Sequence, residues 1–370
     1  MSYPDQPFKA RIMRCLPKSI GLIISILSLC LIDCRGQESS ILQRTSAYDV
    51  IWDSPGSNAL GSMPLGNGDI GLNAWVEAGG DLFLYLSKTD AWSENGQLLK
   101  LGKIRIHLDP NPFIIGKPFK QELQLVDGAI HIQAGKIKDA VEIAIRVDAN
   151  HPVAEVVLTA TKSVKVSVEL LPWRTARRAL TTNDELAGVY GLSFRDDKPI
   201  YQEADHWVPP TDNCLMWYHR NGRSVWKDNL FLQAVGEYTD HASDPLFYRT
   251  FGACLSGTGL RAESPTRLSS QGAISQCTLS IYPLTAFAIT EQEWKNQLNY
   301  EIAKIKAVPD SVRLAAHRAW WSHFWNRSWI FVSSKDPVQQ ERTHQITQGY
   351  ILQRFINACG GRGASPIKFN

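Results

Sequence analysis

The stretch Pro64–Trp75, PLGNGDIGLNAW, holds Gly66, Gly68 and Gly71 in the order G-x-G-x-x-G. That spacing can cradle a dinucleotide pyrophosphate when a strand precedes it and a helix opens within it. Neither condition is met here. Pro64 would interrupt a central strand, and the run from Leu72 to Ala78, before Gly79 and Gly80, is too short for a crossover helix. The expectation is a strand–turn–strand in which Gly66 and Gly68 take positive φ, with no nucleotide and no cofactor. A second chemistry needs paired carboxylates. Glycoside hydrolysis uses two, roughly 5–5.5 Å apart for retention and roughly 6.5–9.5 Å apart for inversion. Asp69, Asp90, Glu94, Asp212 and Asp228 are the candidates. Each also reads as a turn or surface acid, so no catalytic residue is assigned.

Two stretches carry the mixture of aromatic and polar side chains that grips a sugar through its apolar face and its hydroxyls. Asp90–Asn95 (DAWSEN) is one, with Asp90 and Trp92 as its candidates. The other is His206–Arg220 (HWVPPTDNCLMWYHR), read as a long irregular insertion between strands, with His206 and Trp207 as its candidates. Long loops are often functional, although this one could simply be pinned by its own aromatics. The chain has 12 tryptophans, and most of them are expected in the core rather than on a binding surface.

The elements that must position these residues alternate with period two. Lys103–Leu108, Ala129–Gln133, Val141–Val147 and Val164–Leu170 each place aliphatic side chains on one face. Such runs are strands with one side in a core. Short turns link them, and no helix-length pattern separates them, which argues for antiparallel sheets. The fold class expected is mainly β: a large antiparallel β-sandwich over residues 45–288, then linker helices over 289–335.

The chain begins with Lys9, Arg11, Arg14 and Lys18, followed by the apolar run Ile20–Ile32. A basic flank and a short apolar core read as a secretory signal over residues 1–37, since a spanning helix wants about 20 apolar residues. Secretion, or export to the periplasm, is therefore expected. Cys30 and Cys34 leave lipoprotein anchoring open, although Leu29 and Asp33 precede them where a small residue is wanted. The leader's five basic and two acidic residues account for the whole formal charge of +3. The remainder of the chain is formally neutral, with no basic stripe for a nucleic acid. Four cysteines lie beyond the leader, with neither C-x-x-C spacing nor a Cys/His cluster, and no calcium-type loop is present; no metal site is expected. Cys254 and Cys277, on neighbouring strands, are the expected disulfide, with buried free thiols as the alternative.

The same glycine stretch carries a resemblance. PLGNGDIGLNAWVEAGGDLFLYLSKTDAW resembles the opening of the α-L-fucosidase-type glycoside hydrolases (glycoside hydrolase family 95), through Pro64-Leu65-Gly66-Asn67-Gly68, Gly71 and Asp90-Ala91-Trp92. It is more similar still to a bacterial N-terminal domain family of unknown function numbered 5703. The likeness adds Asn67 to the candidate substrate-binding residues and implies a carbohydrate partner, a polysaccharide or glycan.

The last part of the chain agrees. Thr290–Ala307 reads as a helix; Asp310 or Ser311 caps a second one running to about Asn326; Ile330–Ser333 reads as a short strand. Asp336-Pro337 then opens a helix that Gly360-Gly361 ends, striped with Ile346, Tyr350, Ile351, Phe355 and Ile356. The resemblance makes residues 336–370 the start of an (α/α)6 barrel that is cut short before its carboxylates. It implies the non-catalytic N-terminal portion of a secreted glycoside hydrolase-like protein, inactive as this chain. The alternative is a stand-alone carbohydrate-binding or assembly sandwich. With no partner helices, the apolar stripe of 337–359 is expected to stay wet.

Overall fold

The computed structural model describes residues 40–189, 192 and 199–365. The expected leader lies outside them. The strands are β1 (Val50–Trp52), β2 (Met63–Gly66), β3 (Ile70–Val76), β4 (Leu82–Trp92), β5 (Leu98–Asp109), β6 (Phe119–Gln124), β7 (Ala129–Ala134), β8 (Val141–Val147) and β9 (Ala154–Leu171). They continue with β10 (Arg178–Ala179), β11 (Tyr201–Gln202), β12 (His206–Thr211), β13 (Cys214–Arg220), β14 (Arg249–Gly257), β15 (Leu260–Ser264), β16 (Arg267–Ser270) and β17 (Ile274–Phe287). Helices are α1 (residues 40–46), α2 (Asn183–Ala187), α3 (Trp226–Leu232), α4 (Glu291–Lys306), α5 (Asp310–Arg327) and α6 (Pro337–Gly360).

One layer runs β1-β6-β7-β8-β9-β17-β14-β13-β12, and the other β2-β3-β4-β5-β9-β16-β15, all antiparallel. Strand β9 belongs to both. Its first part, Ala154–Ala160, lies between β8 and β17; its second, Lys165–Leu171, lies beside β5, with β16 on its other edge. The expected alternation is visible in β8, where Val141, Ile143, Ile145 and Val147 are buried and Glu142 is exposed. The inward residues of both layers form one continuous core.

The glycine stretch is a β-hairpin, β2 to β3, with Gly66 opposite Gly71. Pro64 is accommodated because β2 is an edge strand. Gly68 has φ +87°, as expected. Gly66 is not in the left-handed region; it is required by close approach instead. A Cβ there would lie 2.5 Å from the Cys359 carbonyl oxygen, because the C-terminal end of α6 packs on this hairpin and that oxygen accepts from Gly68 N–H at 2.7 Å.

Three other expectations are corrected. Residues 206–220 are not an irregular insertion but the hairpin β12–β13, turning at Asp212, which has φ +37°. Pro209 and Pro210 disguise a strand that is tolerated because β12 lies at the sheet edge. Ile330–Ser333 forms no strand; Val332 N–H instead donates to Thr347 Oγ1 of α6. The disulfide joins Cys214 to Cys254, on adjacent strands, and not Cys254 to Cys277. Cys254 stands opposite Tyr282 of β17, and an odd number of positions separates Tyr282 from Cys277, so the two cysteines point to opposite faces. Cys277 is a buried free thiol, its pKa pushed up to about 11 by burial.

Thr290 caps α4 with a reciprocal bond from Glu293, and Asp336 caps α6 with Pro337 in its first turn. α5 starts at Asp310, which sits inside the first turn and pairs with Arg313 rather than capping. This helix docks on the sandwich through polar as well as apolar contacts. Arg313, buried, pairs with Glu155 of β9 at 2.6 Å and with Asp148 at 3.4 Å. His317 accepts from Ala149 N–H at 3.0 Å and donates to the Asp127 carbonyl at 2.8 Å. Burial holds its pKa below the ordinary histidine value, so the neutral ring has one donor and one acceptor, both used. Trp325 donates to the Leu125 carbonyl at 2.8 Å.

The α6 stripe is only partly wet, against the expectation from its sequence. Ile351 and Phe355 are buried, and Phe355 stacks on Trp321 of α5 at 5.1 Å. Val338, Ile346 and Ile356 stay exposed. Amide exchange should therefore be slow over 351–360 and fast over 338–346; uniform exchange along α6 contradicts this packing. Gly66→Val, by displacing the Cys359 carbonyl, should cost roughly 1–3 kcal/mol in denaturant unfolding, whereas Gly79→Ala, with open space around it, should cost little.

Candidate functional site

The loops at one end of the sandwich gather most of the candidate residues. The β2–β3 turn, the end of β4, the β4–β5 turn, the end of β13 and the start of β14 meet there. Arg249 at the start of β14 donates to the Asp90 carbonyl at 3.0 Å. Asn221, just past β13, donates to the Trp92 carbonyl at 2.9 Å.

Lys88 is the first node. Its side chain is largely buried, and its ammonium bonds Asp69 at 2.6 Å and Asp90 at 2.9 Å. Thr89 N–H donates to the Asp69 carbonyl at 2.9 Å, tying β4 to the glycine turn. The two carboxylates share one ammonium and so lie near each other. Any chemistry using the pair would have to displace that ammonium, which both carboxylates already bind.

His219 is the second node. It is buried on β13 and stacked on Phe251 at 5.1 Å. One ring nitrogen faces Asp205 at 3.0 Å and the other faces Glu94 at 3.4 Å. Burial alone would push its pKa down; the bonds to Asp205 and Glu94 outweigh burial and hold it above the ordinary histidine value. Asp205 in turn accepts from Arg174 at 2.7 Å, and Arg174 also donates to the Lys100 carbonyl at 2.9 Å. Glu94 lies 3.7 Å from Arg223. A buried charge is tolerated when it is paired in this way. Here too the imidazole fills the gap between the carboxylates, so Glu94 and Asp205 cannot face each other across a substrate.

Next to this network lies a cleft of about 460 Å³ lined by Arg177, Glu203, His206, Arg220 and Arg223. His206, exposed at the start of β12, stacks flat on Tyr218 at 4.9 Å. Its pKa is pushed below the ordinary value by partial burial and by the charge of His219. A neutral imidazole offers a hydroxyl both a donor and an acceptor.

The candidate residues therefore fare differently. Asp90 and Trp92 stand together at the end of β4, and His206 lies across the His219 network from them. Trp207, next to His206, faces the other way, opposite Trp217 and against the main core. Asn67 has its side chain engaged within the protein: its amide donates to the Asp148 and His151 carbonyls at 2.9 and 3.2 Å, and its oxygen accepts from the Asp69 and Ile70 N–H groups. Lys88, Arg174, Asp205 and Arg223 were not singled out from the sequence. Lys88 could have been, since a lysine two residues before Asp90 in a strand shares its face. The others are separated in sequence by loops, and nothing local joins them.

No curated protein matches the sequence. Among solved structures, the fold is similar to that of a protein assigned as a kojibiose phosphorylase from the human microbiome, at 10% identity and a TM-score of 0.44. The match covers 85% of this chain and 42% of that one, so the chain spans less than half the length of that relative. A family model described as "Domain of unknown function (DUF5703)", the N-terminal part, matches residues 51–330. That span is most of the chain, and the protein belongs to the DUF5703 N-terminal domain family.

Proposed function

We propose that this chain is a sugar-binding, non-catalytic front portion of an exported carbohydrate-processing protein related to the α-L-fucosidase-type glycoside hydrolases. The observation that carries the reading is a convergence. The DAWSEN turn and the β12–β13 hairpin, far apart in sequence, meet through the Glu94–His219 pair, and His206 stacks on Tyr218 on the other face of the same hairpin. Aromatic faces with a few fixed polar groups are what a saccharide needs, its ring on the apolar surface and its hydroxyls on the donors and acceptors.

The rest of the reading draws on separate observations. A cationic or imidazole group stands between each carboxylate pair, which supports a role without chemistry in this portion. The exposed Val338, Ile346 and Ile356 of α6 support packing against further helices, as in the barrel of the resembling enzymes. The basic and then apolar start of the sequence supports export.

The test is a binding screen of the folded chain against neutral and acidic oligosaccharides, followed by calorimetry on the hits. Trp92→Ala and His206→Ala should each weaken binding roughly 2–10-fold, with unchanged unfolding curves. Aryl fucosides and galactosides should not turn over. Hydrolysis by this chain that is abolished in Asp69→Asn or Asp90→Asn would refute the non-catalytic role, and a folded chain that binds no saccharide would refute the sugar-binding one.

A further inference from the structure

We propose that the cleft beside His206 recognises an anionic substituent on the saccharide, a carboxylate or a sulfate ester. This rests on the proposed sugar-binding role and names its substrate class.

Three guanidinium groups line the cleft against one carboxylate. Arg177 pairs with Glu203 at 3.1 Å and lies 4.1 Å over the Tyr201 ring. Arg223 lies 3.7 Å from the same Glu203 and donates to the Tyr201 carbonyl at 3.2 Å and to Asn95 Oδ1 at 3.4 Å. Arg220 donates to the Ala288 and Ile289 carbonyls and lies 5.2 Å from the Tyr248 ring. Its hydrogen-bond partners among the described residues are neutral, so its charge is not met by an acid there. The Nε atoms of Arg220 and Arg223 are buried and, among the described residues, have no hydrogen-bond acceptor.

These side chains are also held in place. Carbonyls fix the terminal nitrogens of Arg220 and Arg223, and aromatic rings underlie Arg177 and Arg220. A guanidinium fixed in orientation binds a planar or tetrahedral oxyanion through parallel N–H···O bonds, at less entropic cost than a free lysine. Glu203 already shows the cleft accepting a carboxylate, held between two arginines. Glu94 lies deeper and shares its charge between His219 and Arg223. Glu291 of α4, the acid near His206 and Tyr218, is already paired with Lys295 at 2.9 Å, so the charge of Arg220 is left for a ligand. His206, neutral beside it, suits a neighbouring hydroxyl.

The experiment is calorimetric titration of the folded chain with three probes of similar length: an oligogalacturonate, a sulfated fuco-oligosaccharide and a neutral galacto-oligosaccharide, at low and high salt. At least one acidic probe should bind about tenfold more tightly than the neutral one at low salt, with the gap narrowing as salt rises. Which acidic probe binds separates carboxylate from sulfate recognition. Arg177→Gln, at a half-exposed position, should weaken acidic binding about three- to tenfold, and by clearly more than it weakens binding of the neutral probe, with the unfolding curve measured alongside. Glu203→Gln should tighten it by removing the resident competitor. Equal affinity for all three probes, indifferent to both substitutions, overturns the anionic recognition and leaves sugar binding standing. Binding of none of them by the folded chain overturns both.

Discussion

Strand β9 is the member on which both layers depend. A strand in a globular protein commonly runs about 5–6 residues, and this one runs 18. Ala154, Val156, Leu158 and Ala160 face the core from the first layer, and Val164, Val166, Val168 and Leu170 face it from the second. Between them Thr161, Lys162 and Ser163 are exposed, where the chain passes from one sheet to the other. The relative placement of the sheets is thus fixed covalently, and their shared interior depends on it. Glu155 of the same strand receives Arg313 of α5, so the helical region is registered to β9 as well.

That framework leaves the chemistry to one rim. Strands set the spacing of Lys88, Asp90, His219, Arg220 and Arg249, and loops bring in Glu94, Asp205, Arg174, Arg177 and Arg223. Many of the polar groups there are held by one another, Lys88 by Asp69 and Asp90 and His219 by Asp205 and Glu94, while the Nε atoms of Arg220, Arg223 and Arg249 are buried without a hydrogen-bond acceptor among the described residues. The carboxylates of this rim are paired with cationic or imidazole groups.

The sandwich was legible because its strands alternate without interruption, and periodicity is a local property. The helices of the C-terminal part were legible through Thr290, Asp336-Pro337 and Gly360-Gly361, whose cap chemistry is also local. The hidden features depended on distant partners. The β12 strand was masked by Pro209 and Pro210, whose acceptance depends on β12 having no outer neighbour among the described residues. The disulfide partner of Cys254 depended on which face each strand turns inward, and the order of strands along the chain does not show this. Half of the α6 stripe found a home on Trp321 and the β2–β3 hairpin, surfaces that amphipathicity alone cannot name. Of the candidate site, Asp90, Trp92 and His206 were named from residue type. Arg174, Asp205 and Arg223 were not, because only the folded arrangement makes a network of them.

The bond between Cys359 and Gly68 joins the two ends of the described chain. Contacts between residues so far apart in sequence slow folding, because the loop they close must be ordered before they repay it. During synthesis the glycine turn emerges early and must wait for α6, which emerges hundreds of residues later. Until then the β2 edge and the Gly66 backbone are uncovered, and the nascent sandwich carries an open edge of the kind that pairs with other chains. The α6 helix thus acts as a latch on assembly order: a ribosome-bound chain lacking it should be the species most in need of a chaperone.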